Sequence, residues 1–264
     1  MTKDLTINGV TIGQSSEYYS LREARGFGSG EVDFVRFERP GFHGSKVPRA
    51  FWRARVMRLL IGVKADSIST YAEKRRDLLE AFDLPRDGLT TMTFTTTDSL
   101  DLQCDVQLAG PIDAPLLPGE VTIGEMWVSL IAPDPLFKSQ TLTETDITFA
   151  AGTGVINNTG GAPIFPSVKA YGDISGAITL ENDTVGGRVL SFTGLSLGSA
   201  EYMNIDMENE TVIKNDLTNL YSYINSDDFW WLGKGNNTIN ISATLGGLGD
   251  KKITISYRIG YLGI

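Results

Sequence analysis

Side chains able to do covalent or acid–base chemistry are scarce in this sequence. It holds one histidine, His43, and one cysteine, Cys104. One of each cannot supply the nitrogen and sulfur ligands of a zinc site. His43 lies in the loop-like run Gly41-Phe42-His43-Gly44-Ser45 and reads as a bystander. Gly194-Leu195-Ser196-Leu197-Gly198 spells the G-x-S-x-G of a hydrolase nucleophile. That motif works on a strand-to-helix turn with Asp and then His downstream. Here strand patterns flank it and no histidine follows, so it reads as a turn. Hydrolysis by two carboxylates needs only a pair of acids across a cleft. Asp98, Asp101, Asp105 and Asp227-Asp228 are available, but they fall in strand-flanking positions with nothing to pair them. Gly26-Phe27-Gly28-Ser29-Gly30 lacks the spacing and the strand–helix setting of a phosphate-binding loop. No catalytic residue, metal ligand or cofactor site is expected, and the chain reads as a non-enzyme.

Two clusters suit binding better than catalysis. Arg49, Arg53, Arg55 and Arg58 fall in and just before a long strand pattern over residues 51–63. Alternation places Arg53 and Arg55 on the face that carries Phe51, Met57 and Leu59. Such a face is either solvated or paired with an acidic neighbouring subunit, a role arginine suits. Phe229-Trp230-Trp231-Leu232 is the second cluster. On a strand, Phe229 and Trp231 point one way and Trp230 the other. At least one side packs in a core, and an outward Trp230 or Trp231 is an interface anchor or a platform for stacking sugar.

Charge narrows the partners. The net charge is −9; residues 1–138 carry 16 basic against 19 acidic side chains, and the remainder 7 against 13. No clustered positive field is present for gripping a phosphate backbone, so specific nucleic-acid binding is not expected. No apolar stretch approaches the roughly 20 residues of a membrane span. The opening Met1-Thr2-Lys3-Asp4-Leu5 lacks the basic-then-apolar pattern of a secretory leader. A single cysteine rules out an internal disulfide and fits assembly in a reducing cytoplasm. Five N-x-[ST] sequons, at Asn157, Asn182, Asn209, Asn236 and Asn240, then read as turns and strand faces.

The elements that must position these residues are mostly strands. Asn8-Gly9 between two short alternating runs predicts a tight hairpin. Further strands are expected at 32–37, 91–95, 100–108 and 121–130, with a loop marked by Pro40-Gly41 and His43-Gly44. One helix is predicted over 70–83. Thr70 and Glu73 would form a capping box, Ile68, Tyr71, Ala72, Leu78, Leu79 and Phe82 an apolar stripe, and Pro85 the stop. Arg75 falls within that stripe and either snorkels or contacts another subunit. Residues 139–152 are polar and Thr-rich and read as a linker, so 1–138 and 153–264 are two domains. The second is almost pure strand and turn. Ile239, Ile241, Ala243 and Leu245, then Ile253, Ile255, Tyr257 and Ile259, alternate strictly with other residues. Earlier runs lie near 164–171, 177–181, 188–193, 201–207 and 211–214, which together predict a β-sandwich.

The order of these pieces resembles the distal tail protein family of long-tailed, siphovirus-type bacteriophages. The resemblance runs from the Asn8-Gly9 strand through the Gly41-x-x-Gly44 loop and the arginine-bearing strand ending in Gly62-Val63. The helix with Arg75-Arg76 and Leu78-Leu79 comes next, and then Ala132-Pro133-Asp134-Pro135-Leu136-Phe137. In the second half it is carried by Asn157-Asn158-Thr159-Gly160 with Pro163 and Pro166, and by Tyr202-Met203-Asn204-Ile205-Asp206 with Thr211-Val212-Ile213-Lys214-Asn215. Phe229-Trp230-Trp231-Leu232 with Gly235-x-Asn237-x-Ile239 completes it. The resemblance implies a mainly β protein: an N-terminal ring-forming β-domain with one helix, then a galectin-like β-sandwich. It also implies a structural role at the virion tail tip. Six copies would form a ring joining the tail tube protein to the tail-tip hub protein, with a lumen for DNA. The resemblance carries no ring contact over residue by residue; from their own pattern, Arg53, Arg55 and Arg75 are the candidate interface residues. The competing expectation is a carbohydrate-binding module for host-surface polysaccharide, using Trp230 and Trp231.

Overall fold

The computed structural model describes residues 2–38, 45–83, 88–115, 122–246 and 251–264, with side chains of 36–50 left undescribed. His43, the Pro40-Gly41 and His43-Gly44 loop, Pro85, Val121 and the side chain of Arg49 therefore lie outside the described residues. The chain divides into two compact units, Met1–Gln140 with Tyr261–Ile264, and Thr141–Gly260.

The first unit opens with β1 (Thr2–Ile7) and β2 (Val10–Gly13), paired so that Ile7 faces Val10 across Asn8-Gly9. Both turn residues have positive φ, 46° and 80°. That is the two-residue hairpin geometry Asn-Gly favours, because its twist matches the flanking strands. There follow β3 (Tyr19–Arg25), β4 (Val32–Glu38), β5 (Ser45–Trp52) and β6 (Arg55–Lys64). Helix α1 (Ile68–Ala81) leads to β7 (Thr90–Thr96), β8 (Asp101–Leu108), β9 (Ile123–Ala132) and β10 (Phe137–Ser139). The main sheet runs β2-β1-β7-β8-β9-β6-β3, and β10 pairs with β8; β4 and β5 form a separate two-stranded ribbon. The single long strand expected over 51–63 is thus two strands, broken at Arg53-Ala54.

Alternation accounts for the core of this sheet. Met57, Leu59 and Ile61 of β6 face inward with Met126, Val128 and Leu130 of β9 and Met92 and Phe94 of β7. Each fully buried aliphatic side chain contributes roughly 1.5–3 kcal/mol. Helix α1 closes over this core with Leu78, Ala81 and Phe82, while Ile68 stays exposed. Its cap is Ser67, three residues before the expected Thr70: the Ser67 side chain accepts the Thr70 backbone N–H. Serine is the better cap, and a turn begun at Ser67 brings Leu78 and Phe82 together onto the sheet. Tyr71 approaches β9 so closely that a Cβ on Gly124 would lie 2.0 Å from its hydroxyl. The Asn8 side chain donates to the Ala81 carbonyl at 2.9 Å, so the hairpin turn satisfies the helix C-terminus.

The second unit is a sandwich of antiparallel sheets. Its strands are β11 (Thr143–Thr148), β12 (Thr153–Asn158), β13 (Ser167–Tyr171), β14 (Ile174–Asn182), β15 (Arg188–Leu197) and β16 (Tyr202–Asp206). They continue with β17 (Thr211–Lys214), β18 (Thr218–Asn219), β19 (Ile224–Asp227), β20 (Gly235–Leu245) and β21 (Lys252–Tyr257). One sheet has the order β11-β21-β13-β16-β17-β18 and the other β12-β20-β14-β15-β19. Val168, Ile205, Ile253 and Ile255 of the first meet Ile178, Leu180, Phe192 and Ile239 of the second in one core. The mainly β architecture with one α-helix and a β-sandwich matches expectation.

Two segments differ from their predicted roles. Residues 139–152 are not a linker throughout, because β11 pairs along its whole length with β21 and buries Ile147 between polar neighbours. Threonine-rich sequence is strand-compatible once a partner strand exists, and that partner comes from more than 100 residues away in sequence. Gly194–Gly198 is not a turn: Gly194 to Leu197 continue β15, with Leu195 and Leu197 buried.

Candidate assembly interface

The three candidate arginines, and Arg58 beside them, separate into different roles. Arg55 is 3% exposed, on the inner face of β6. Its guanidinium donates to the carbonyl oxygens of Pro135 (2.9 and 2.7 Å), Gly26 (2.8 Å), Leu262 (2.6 Å) and Gly28. Its carbon end lies 4.3 Å from the Phe137 ring centroid. Burial lowers its pKa, opposed by the neighbouring Cys104 and Asp134. Its donors are spent on its own chain, so it acts as a staple there, and its burial beside an exposed Arg53 corrects the shared face expected of the two. The break at Arg53-Ala54 is the reason: it resets the alternation.

Arg53 stands in solvent at the ribbon's base, paired with Asp33 at 2.5 Å and near Glu31 at 3.9 Å. Exposed pairs of this kind contribute little stability. Arg75 is half-buried and donates to the Ala114 carbonyl at 2.6 Å, so it ties α1 to the segment before β9. Arg58 points outward from β6, directly opposite Arg25 of β3.

The tryptophans also part. Trp230 is fully buried in the sandwich core, where its indole Nε1 has no hydrogen-bond partner. Trp231 is half-buried, with the Arg188 guanidinium 4.5 Å over its ring and Phe165 edge-on at 6.3 Å. Of the expected sugar platform only Trp231 reaches the surface, and one of its faces carries Arg188. The segment is irregular rather than a strand, so simple alternation does not apply.

Three asparagines hold that segment, and sequence reasoning passed over them. Buried Asn237 accepts the Gly233 N–H at 2.8 Å and donates to the carbonyls of Gly233 (2.8 Å) and Gly235 (2.9 Å). Buried Asn182 donates to the Trp231 carbonyl at 2.8 Å. Buried Asn158 donates to Ala162 at 2.8 Å and Leu232 at 3.3 Å and accepts from Gly160 at 3.1 Å. Buried amides must be paired, and these supply partners for a stretch of backbone that makes few ladder bonds. The signal was present as Asn-Asn-Thr-Gly and Gly-x-Asn-x-Ile, but polarity suggested surface turns.

The candidate carboxylates are divided between the two units. Asp101 accepts from Thr95 (2.8 Å) and Asp105 from Thr91 (2.6 Å), both on the exposed side of β8, and Asp98 accepts from Thr96. Asp227 and Asp228 belong to the other unit, Asp228 lying 3.9 Å from Arg188. Ser196 projects from a strand. Cys104 is buried, and desolvation pushes its thiol pKa up to about 12. Among the described residues no group of His, Cys, Asp and Glu is placed to hold a metal ion, and no helix is long and apolar enough to cross a membrane.

What the first unit does display is apolar surface. Phe34 (49% exposed), Val35 (39%), Phe51 (51%) and Trp52 (42%) project from the ribbon. Val56 (52%), Ile123 (55%) and Trp127 (36%) project from the outer face of β6 and β9. A two-stranded ribbon is marginal alone, and concentrated exposed apolar side chains mark surfaces that another molecule covers.

No family model matches the sequence, and no curated protein matches it. Among solved structures, the chain is similar to that of the SPP1 Dit protein, described as a paradigm of the hub adsorption apparatus in phages infecting Gram-positive bacteria. That match has a TM-score of 0.71 at 15% identity, covering 97% of this chain and 98% of that one. A chain of the phage P2 baseplate in its Ca-activated conformation matches with a TM-score of 0.48 at 9% identity, over 97% and 98%. The chain thus has the fold of SPP1 Dit along nearly its whole length, in agreement with the distal-tail-protein resemblance of its sequence.

Proposed function

We propose that this chain is a structural protein of the tail tip of a long-tailed bacteriophage. Six copies close into a ring that joins the tail tube to the tail-tip hub and leaves a lumen for DNA. It works by assembly rather than turnover, and it is assembled in the host cytoplasm. The observation that carries this reading is the fold shared with SPP1 Dit over 97% of the chain. Two further features support it. The apolar ribbon and the apolar outer sheet face lie on one unit and call for covering partners. A net charge of −9 also suits a lumen that must let DNA pass without gripping it.

The test is the stoichiometry of the purified protein by size-exclusion light scattering, with negative-stain microscopy. A closed annulus of six copies is expected. A monomer that persists at high concentration and binds neither tube nor hub protein would sink the proposal.

A further inference from the structure

Asn8-Gly9 is the only Asn-Gly step in the sequence, and such a step is open to a spontaneous reaction of the backbone. The Gly9 nitrogen can attack Asn8 Cγ, because glycine has no Cβ to crowd the approach. The Gly9 N–Asn8 Cγ bond forms, the Cγ–Nδ2 bond breaks, and the Gly9 N–H proton departs with the amide as ammonia. Water then opens the five-membered imide at one of its two carbonyls. The product is aspartate, or isoaspartate with the main chain routed through the side-chain carbons.

The fold both exposes this step and restrains it. Asn8 and Gly9 are exposed, so water reaches the turn. Nothing lies within 4 Å of the place a Gly9 Cβ would take, which leaves room for the imide ring. Against the reaction, Asn8 is fixed at φ 46° by the Ile7↔Val10 pair that brackets the turn. Its amide also donates to the Ala81 carbonyl at 2.9 Å. The group that must leave as ammonia is therefore the group that satisfies the C-terminus of α1, a cost the unfolded chain does not bear. After reaction a carboxylate stands where the donor stood. It meets a carbonyl oxygen at the negative end of a helix, where an anion is unfavourable. Isoaspartate also lengthens a turn whose length sets the β1–β2 register.

We propose that Asn8 is this chain's site of spontaneous deamidation, guarded in the intact fold by the C-terminus of α1, and that its conversion releases the β1–β2 hairpin from the helix.

Two experiments on the full chain test it. In the first, wild type is aged in mildly alkaline buffer, once folded and once in urea, and its peptides are read by mass spectrometry. Asn8 should convert ahead of every other asparagine in both samples. In the folded sample it should convert on the order of tenfold more slowly, the rate equivalent of the one hydrogen bond lost. In the second, Asn8→Asp and Asn8→Gly are compared with wild type by hydrogen exchange, since both replacements suit the two-residue turn. Exchange at 79–83 and 8–11 should rise by about tenfold in the aspartate variant. It should rise less in the glycine variant, which removes the donor without adding a charge. Another asparagine that converts first in the folded chain, or equal rates at Asn8 with and without urea, overturns the guarded site. An aspartate variant whose exchange at 79–83 matches wild type overturns the release of the hairpin.

Discussion

Replacing Arg55 by methionine tests the staple most directly. Methionine keeps an unbranched apolar stem but removes the guanidinium, and with it every donor and the carbon that lies over Phe137. Five hydrogen bonds to four carbonyl oxygens are lost from a residue that is 3% exposed. Hydrogen bonds to a charged group contribute about 1.5–3 kcal/mol each before the desolvation of the ion is counted. Burying a guanidinium costs several kcal/mol, which the variant recovers. The net loss should be about 3–5 kcal/mol, a large fraction of an ordinary domain's stability. For a unit of this size that is a fall of roughly 10–15 °C in melting temperature. The damage should also be local. Gly26 and Gly28 follow β3, Pro135 follows β9, and Leu262 lies in the segment that returns to the first unit after residue 260. Hydrogen exchange should therefore rise first at 26–28, 134–136 and 261–264, while β7 and β8 stay protected. Arg55→Lys should fall between, since a single ammonium cannot span four acceptors. A methionine variant that melts within about 1 °C of wild type and keeps protection at 261–264 would refute the staple.

The asparagine framework and the buried thiol give two more expectations. Asn237→Ala should lower stability of the second unit by about 2–4 kcal/mol in urea unfolding, because it strips partners from Gly233 and Gly235 at a site with no access to water. Asn236→Ala, one residue away and exposed, should cost less than about 0.5 kcal/mol; equal losses at the two positions would contradict the assignment. For Cys104, the folded thiol is held up at about 12 by burial, against an ordinary value of 9.0. Above pH 9 the unfolded chain gives up this proton while the folded chain keeps it, so ionisation favours unfolding by up to about tenfold per pH unit. Stability should fall more steeply above pH 9 in wild type than in Cys104→Ala, and parallel slopes would show that the thiol is not shielded.

The sequence by itself determined the local elements wherever one rule governs. Asn8-Gly9 forms the predicted two-residue turn, since few residue pairs tolerate positive φ twice. The runs expected near 201–207 and 211–214 are strands at 202–206 and 211–214, because period two has no competing explanation there. The scarcity of reactive side chains, and the family resemblance carried by motif order, were also legible before any coordinates.

Tertiary structure decided what each side chain does. Arg53 and Arg55 look equivalent in sequence, yet a two-residue break leaves one in solvent and buries the other against carbonyls from three distant segments. Trp230 and Trp231 differ because an irregular backbone, held by Asn158, Asn182 and Asn237, ignores strand alternation. Threonine-rich 143–148 becomes a strand only because β21 lies beside it, and the apolar ribbon is visible as a surface only once the core is known to be elsewhere. Short-range sterics are written along the chain, but burial is a relation between segments far apart in it, and burial sets the role of a charge, an indole or an amide.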